Sequence, residues 1–244
     1  MSDQKVLFVQ FRDDEMREHE QDAVRKTLGP AARDLIFLDA LKAPFNFTAA
    51  KDASAVILGG SGRFFVSRGD PPVQEAVLYA LNELRLRHIP LLGICFGAHL
   101  LTEAFGGQVE HWPEKEETGS FLVEKLEAAD HDPLFSALPS KFWAQLGHKD
   151  FITRLPTGAA NLAKSERADS EAWCLAGENI YALQFHPKLD QNSLTERALH
   201  YLDEYIGPDK SAFEKMIAEA RPSREASSLL PRFVELAREK GRLT

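Results

Sequence analysis

Residues 90–107 read PLLGICFGAHLLTEAFGG. Leu91, Leu92, Gly93 and Ile94 make a short apolar run suited to a strand buried on both faces, and Leu100, Leu101, Ala104 and Phe105 recur at helical spacing across 97–105. Cys95 falls at the junction. Gly93 and Gly97 flank it and permit the tight strand-to-helix turn that lifts a nucleophile above the carboxyl edge of a sheet. The free N–H groups and positive end of the following helix would lower the thiol pKa. A lone cysteine in an apolar stretch is more often a small core residue. Glycine on both sides at a strand-to-helix junction decides for the nucleophile.

Outward from this turn, the first hundred residues repeat strand then helix, the pattern of a parallel sheet covered on both faces. Strands are expected at 5–11, 34–39 and 55–58, and helices at 15–28, ended by Gly29 and Pro30, and at 73–87. Residues 43–51, with Pro44, Phe45 and Phe47, read as loop. After Gly107 the runs shorten (119–126 and 141–146), and antiparallel additions are expected. Segments 172–175 and 180–185 look like two late strands joined by a tight turn at 176–179. A helix at 193–206 follows, with Ser193 as N-cap and Gly207 and Pro208 as its stop. Residues 208–244 read as a helical extension of a domain spanning 1–207. Phe213, Met216 and Ile217, then Phe233, Leu236 and Ala237, form its apolar stripes, with breaks at Pro222 and Pro231. They would pack on the domain itself or on a second copy, making a homodimer.

Composition narrows the function. The chain has 244 residues, 44% hydrophobic and 27% charged, as in ordinary globular proteins. Its net charge of -8 argues against nucleic acid as a partner. No signal-peptide-like or membrane-length apolar run is present, and the two cysteines, Cys95 and Cys174, suit a reducing compartment, so a cytoplasmic location is expected. No His, Cys or carboxylate cluster shows ligand spacing, so neither a metal nor another cofactor is expected.

A cysteine nucleophile needs a base. His186 ends the apolar run YALQF and precedes Pro187, which places it at a strand terminus on the edge where parallel strands gather their carboxyl ends. There an imidazole could meet Cys95 and form a thiolate–imidazolium pair. The turn at Gly59, Gly60, Ser61 and Gly62 offers backbone N–H groups which, with that of Phe96, would form an oxyanion hole. No GKS or GKT follows, so a phosphate loop is the weaker reading of that turn. His148 and Asp150, in HKD, either line the cleft or share a loop hydrogen bond.

GGSG after the third strand, GICFGAHLL around Cys95 and YALQFHP ending at His186 together resemble the class I glutamine amidotransferase family. The likeness covers about the first 207 residues, and 148–166 is similar to free-standing members that look like the amidotransferase half of GMP synthase. It implies a flavodoxin-like sheet, attack of a Cys on the side-chain amide of glutamine, a glutamyl thioester and released ammonia. On the matching positions Cys95 is the nucleophile, His186 the general base and acid, and the Gly60 and Phe96 amides the oxyanion hole.

The sequence departs from that pattern at three positions. HPE becomes HPK, so Lys188 stands where the acid would orient the histidine. At about 5 Å and an effective dielectric near 20, a like charge disfavours imidazolium by roughly 3 kcal/mol. Either Lys188 turns to solvent and leaves a Cys–His dyad, or Asp190 supplies the carboxylate. His99 replaces the Gln that helps hold substrate glutamine, and Ser61 replaces the common Pro of the glycine turn. Two readings follow. One is a cysteine hydrolase of a small-molecule glutamine or γ-glutamyl amide, with an ammonia-accepting partner protein or a purely hydrolytic role. The other is a catalytically silent relative that binds a ligand or regulates a partner. Redox sensing has little support, because no CxxC spacing joins Cys95 to Cys174.

Overall fold

The computed structural model describes residues 5–202 and 210–240, the side chains of 210, 212 and 240 excepted. Five parallel strands lie in the order β2-β1-β3-β4-β11: β1 (Lys5–Gln10), β2 (Leu35–Asp39), β3 (Ala53–Leu58), β4 (Leu91–Ile94) and β11 (Ile180–Leu183). This is the flavodoxin-like arrangement. The sheet then continues antiparallel through β10 (Ala172–Leu175), β9 (Ala159–Lys164), β6 (Glu117–Lys125) and β7 (Lys141–His148). A separate pair joins β5 (Gln108–His111) to β8 (Asp150–Arg154).

Alternation along β1 shows why the sheet carries helices on both sides. Val6 and Phe8 point into one apolar core with Val24 and Leu28 of α1 (Met16–Leu28), while Leu7 and Val9 point into another. That second core is closed by α3 (Gln74–Leu86) and α4 (Phe96–Ala104), through Val77, Leu81, Leu84, Leu100 and Leu101. The segment read as loop at 43–51 contains a single helical turn, α2 (Phe47–Ala50), because the Asn46 side chain accepts from the Ala49 N–H and nucleates it.

The helix expected at 193–206 is α5 (Gln191–His200). Its N-cap is Asp190, not Ser193: the Asp190 carboxylate accepts from the Ser193 N–H at 2.9 Å. The stop at Gly207 and Pro208, and the boundary at 207–208, lie outside the described residues. Beyond them are α6 (Lys210–Ala218) and α7 (Arg224–Lys240). Pro231 was expected to break the tail, yet α7 runs through it. A mid-helix proline costs about 3 kcal/mol. Burial of Leu229, Leu230, Phe233, Val234 and Ala237 beside α1 in the first core offsets that cost. The stripe on α7 is therefore covered by its own domain.

Candidate active site

Cys95 connects β4 to α4 with φ 54° and ψ -108°, a left-handed conformation that a non-glycine residue adopts at a cost of about 1–3 kcal/mol. The flanking glycines are sterically required. A Cβ on Gly97 would sit 2.4 Å from the Leu58 carbonyl oxygen, and one on Gly93 would sit 2.4 Å from that of Gly97. The Cys95 N–H donates to the Leu183 carbonyl at 2.8 Å, so β11 holds the elbow in place.

The residues expected around the sulfur converge on it. A Cβ built on Gly60 would lie 3.2 Å from His186 Cε1, 3.6 Å from Arg12 Nη2 and 3.8 Å from Cys95 Cβ. Gly60 thus leaves room for three side chains at once. The Phe96 N–H faces the sulfur, and the thiol donates weakly to the Gly147 carbonyl at 3.7 Å. Ser61 Oγ accepts from the Phe64 N–H at 2.9 Å and so folds the glycine turn. Ser61, Cys95, Phe96, His99, His148 and Asp150 line one cavity, which brings the HKD pair to the cleft. A larger cavity, about 700 Å³, lies elsewhere, between 40–48 and α3, and contains none of these residues.

The electrostatics differ from the sequence expectation. Burial pushes the Cys95 thiol up to about 11, against the downward pull of Lys188, Arg12 and the Phe96 N–H. The end of α4 does not overcome desolvation. His186 is also buried, and burial followed by Lys188, Arg197 and Arg12 drives its pKa well below the ordinary range. Both groups therefore rest neutral rather than as an ion pair. His99 is likewise neutral, lowered to about 4 chiefly by burial, and its Nε2 pairs with Gln184 Oε1 at 2.9 Å.

Neither expectation for Lys188 is met. Lys188 is 2% exposed, not in solvent, and its Nζ lies 3.1 Å from Glu20 Oε1. Asp190 caps α5 and pairs with Lys26 at 2.7 Å on the surface, so it does not serve as the acid. Glu20 is the carboxylate of this region. Arg12 Nε lies 3.4 Å from its other oxygen, Gln10 Nε2 donates to it at 3.3 Å, and Arg197 lies close enough to act on its charge. Burial raises Glu20, but Lys188, Arg12 and Arg197 pull it down to about 2. The same burial lowers Lys188 to about 8 and Arg197 to about 10. Lys188, Arg12 and Arg197 thus all act on the Glu20 carboxylate.

The fold also gathers groups whose sequence spacing showed no metal-ligand pattern. One atom each from Glu117, His148 and Glu171 lie within 4.8 Å of one another, all buried. His148 Nδ1 faces the Asp150 carbonyl at 3.0 Å, and its Nε2 lies 3.2 Å from Glu117. Burial and the neighbouring Glu117 raise Glu171 well above the carboxylate range. Asp150 accepts from Ser67 Oγ at 2.7 Å and faces His111 Nδ1 at 2.9 Å, which fixes the loop beside the cavity.

Glu20, Arg12 and Arg197 are the residues that the sequence reading missed. Glu20 sits on the buried stripe of α1 with Ala23, Val24 and Leu28, and Arg197 on that of α5 with Leu194 and Ala198. A charge at an apolar-stripe position was the available signal.

Residues 39–202 match the model of the family described as glutamine amidotransferase class-I. The chain belongs to that family. It is 36% identical over 146 residues to the glutamine-hydrolyzing GMP synthase of Thermosipho melanesiensis, a match covering 60% of this chain and 26% of that protein. It is 34% identical over 146 residues to one subunit of the glutamine-hydrolyzing GMP synthase of Methanothrix thermoacetophila, covering 59% and 73%. The chain thus spans about a quarter of the first relative. In fold it is similar to a glutamine amidotransferase from Thermotoga maritima, with TM-score 0.76 and 22% identity over 96% of this chain and 97% of that one. No helix among the described residues is long and apolar enough to cross a membrane.

Proposed function

We propose that this chain hydrolyses a glutamine or γ-glutamyl amide through a thioester on Cys95. The observation that carries the reading is the convergence at Gly60: the strained cysteine elbow, the His186 ring and the Phe96 N–H occupy one small volume. In this mechanism His186 takes the thiol proton as sulfur attacks the carbonyl carbon. The Gly60 and Phe96 N–H groups receive the developing oxyanion. Collapse of the tetrahedral intermediate expels ammonia, protonated by His186, and leaves the acyl-enzyme. Water then attacks with His186 as base, releasing the γ-carboxylate and the free thiol.

Ammonia passes to an acceptor protein. Relatives named as one subunit of a glutamine-hydrolyzing GMP synthase support this, since such a name implies another chain. The second reading, a silent relative that binds a ligand, draws its support from Lys188 in the acid's position and the neutral His186 beside it. Ammonia release from glutamine and from γ-glutamyl peptides separates the two. Release by the wild type that vanishes in Cys95→Ala supports the enzyme. No release from any of these amides, with or without candidate acceptor proteins, supports the binding role.

A further inference from the structure

Beside His186 lies a second small cavity of about 30 Å³, which shares Ser61 and Gly147 with the cavity that holds Cys95 but is otherwise walled by other residues. One water needs roughly 10–15 Å³ by this measure, so the space suits a group of two or three heavy atoms. Its polar walls are Arg12, Ser61, Thr118, His186, Arg197 and Tyr201. Among the described residues, no carboxylate lines it. Glu20 is engaged by Lys188 and Arg12, and Asp14 accepts from the Tyr201 hydroxyl.

Arg197 is 7% exposed, and none of its three guanidinium nitrogens has a hydrogen-bond partner. His186 Nδ1 is also buried without a partner. A buried guanidinium lacking any acceptor is strongly unfavourable, whereas a carboxylate matches its fork with two parallel hydrogen bonds. We infer that this cavity is a binding site for a carboxylate-sized monoanion, which Arg197 grips and which stands beside His186 in the place of the acid that HPK lacks. The bound anion supplies the acceptor for His186 Nδ1–H and neutralises part of the cation cluster. His186 can then take up a proton that Lys188, Arg12 and Arg197 otherwise oppose. The anion is either a free small carboxylate or the carboxylate end of a substrate reaching past His186.

Binding does not require the amidase reading; only its catalytic consequence rests on it. The test is therefore run on Cys95→Ala protein, which cannot turn over. Calorimetric titration with sodium formate should saturate in the millimolar range, and the His186 ring signals in NMR should titrate at higher pH with formate present. Arg197→Met should weaken formate binding by at least about tenfold. Ala198→Leu, which fills the cavity and keeps both arginines, should do the same and guards against a folding defect at Arg197. Displacement of formate by glutamate would identify a substrate carboxylate as the occupant, and formate binding indifferent to glutamate would identify a free anion. No saturation by formate up to about 100 mM, or equal binding in folded Arg197→Met and Ala198→Leu proteins, overturns the inference. Either result leaves the amidase reading standing, just as a lack of ammonia release would leave formate binding standing.

Discussion

Lys188 Nζ and Glu20 Oε1 face each other at 3.1 Å with neither side chain exposed to solvent. The pair joins the segment after the His186 strand to the middle of α1. It makes Lys188 a partner of α1 rather than a misplaced triad acid. Removing one member of a buried pair typically costs about 3–5 kcal/mol, because the other charge is left uncompensated. Lys188→Glu would set a second carboxylate against Glu20, so it is expected to destabilise by that amount instead of restoring a triad. The charge-swapped Glu20→Lys/Lys188→Glu protein should recover only part of the loss in urea denaturation, because its ammonium at position 20 faces Arg12, which Glu20 holds at 3.4 Å in the wild type. Its His186 should also titrate higher, with a carboxylate beside it in place of an ammonium.

Glu20 gives acid stability a defined sign. Its folded pKa of about 2 lies below the ordinary 4.5, so its contribution is fully present above 4.5 and is lost as pH falls from there through 2. The full contribution is about 3 kcal/mol. Denaturation midpoints measured from pH 6 to about pH 2.5 should fall more steeply for the wild type than for Glu20→Gln, which starts less stable and lacks this component.

Thiol chemistry checks the electrostatics. Iodoacetamide alkylation of Cys95 should rise with pH toward a midpoint near 11, and Arg12→Met should move that midpoint upward, since the Arg12 guanidinium favours the thiolate and stays charged there, whereas Lys188, lowered to about 8, is already neutral. Cys174 is pushed up to about 12 by burial and by Asp132, and no cavity described above opens onto it. It should react more slowly than Cys95 at every pH. Equal rates would contradict the account.

Substitution at the elbow glycines should act through shape alone. Gly97→Ala drives a methyl into the Leu58 carbonyl, and neither backbone segment can yield without moving β3 or α4. Overpacking of this kind costs about 1–3 kcal/mol. Denaturation should show that loss, and alkylation of Cys95 should change together with it, because the sulfur is displaced.

What could be read from the chain and what could not divides along physical lines. Apolar runs, glycines and the Cys95 turn are local signals, and they led to the doubly wound sheet, the elbow and His186 at a strand end. The β10–β11 hairpin was legible from two apolar runs joined by a short turn. Pairings between distant residues left no local trace: Glu20 with Lys188, Arg12 with Tyr201, and Glu117 with His148 and Glu171. The charged text of α1, MREHEQD, reads as a solvated face until the burial of Glu20 reveals its orientation. The depression of the Cys95 pKa was misjudged for a related reason. A helix end acts within a turn of sequence, whereas desolvation depends on the whole fold.

The most direct measurement is trapping of the acyl-enzyme. Wild-type protein incubated with glutamine and hydroxylamine should form γ-glutamyl hydroxamate, as the amine attacks the Cys95 thioester and releases the free thiol. Cys95→Ala should form none, and His186→Ala should form far less. Hydroxamate produced equally by Cys95→Ala, or a wild type that forms none from glutamine or γ-glutamyl peptides even with an acceptor protein present, would contradict a thioester on Cys95.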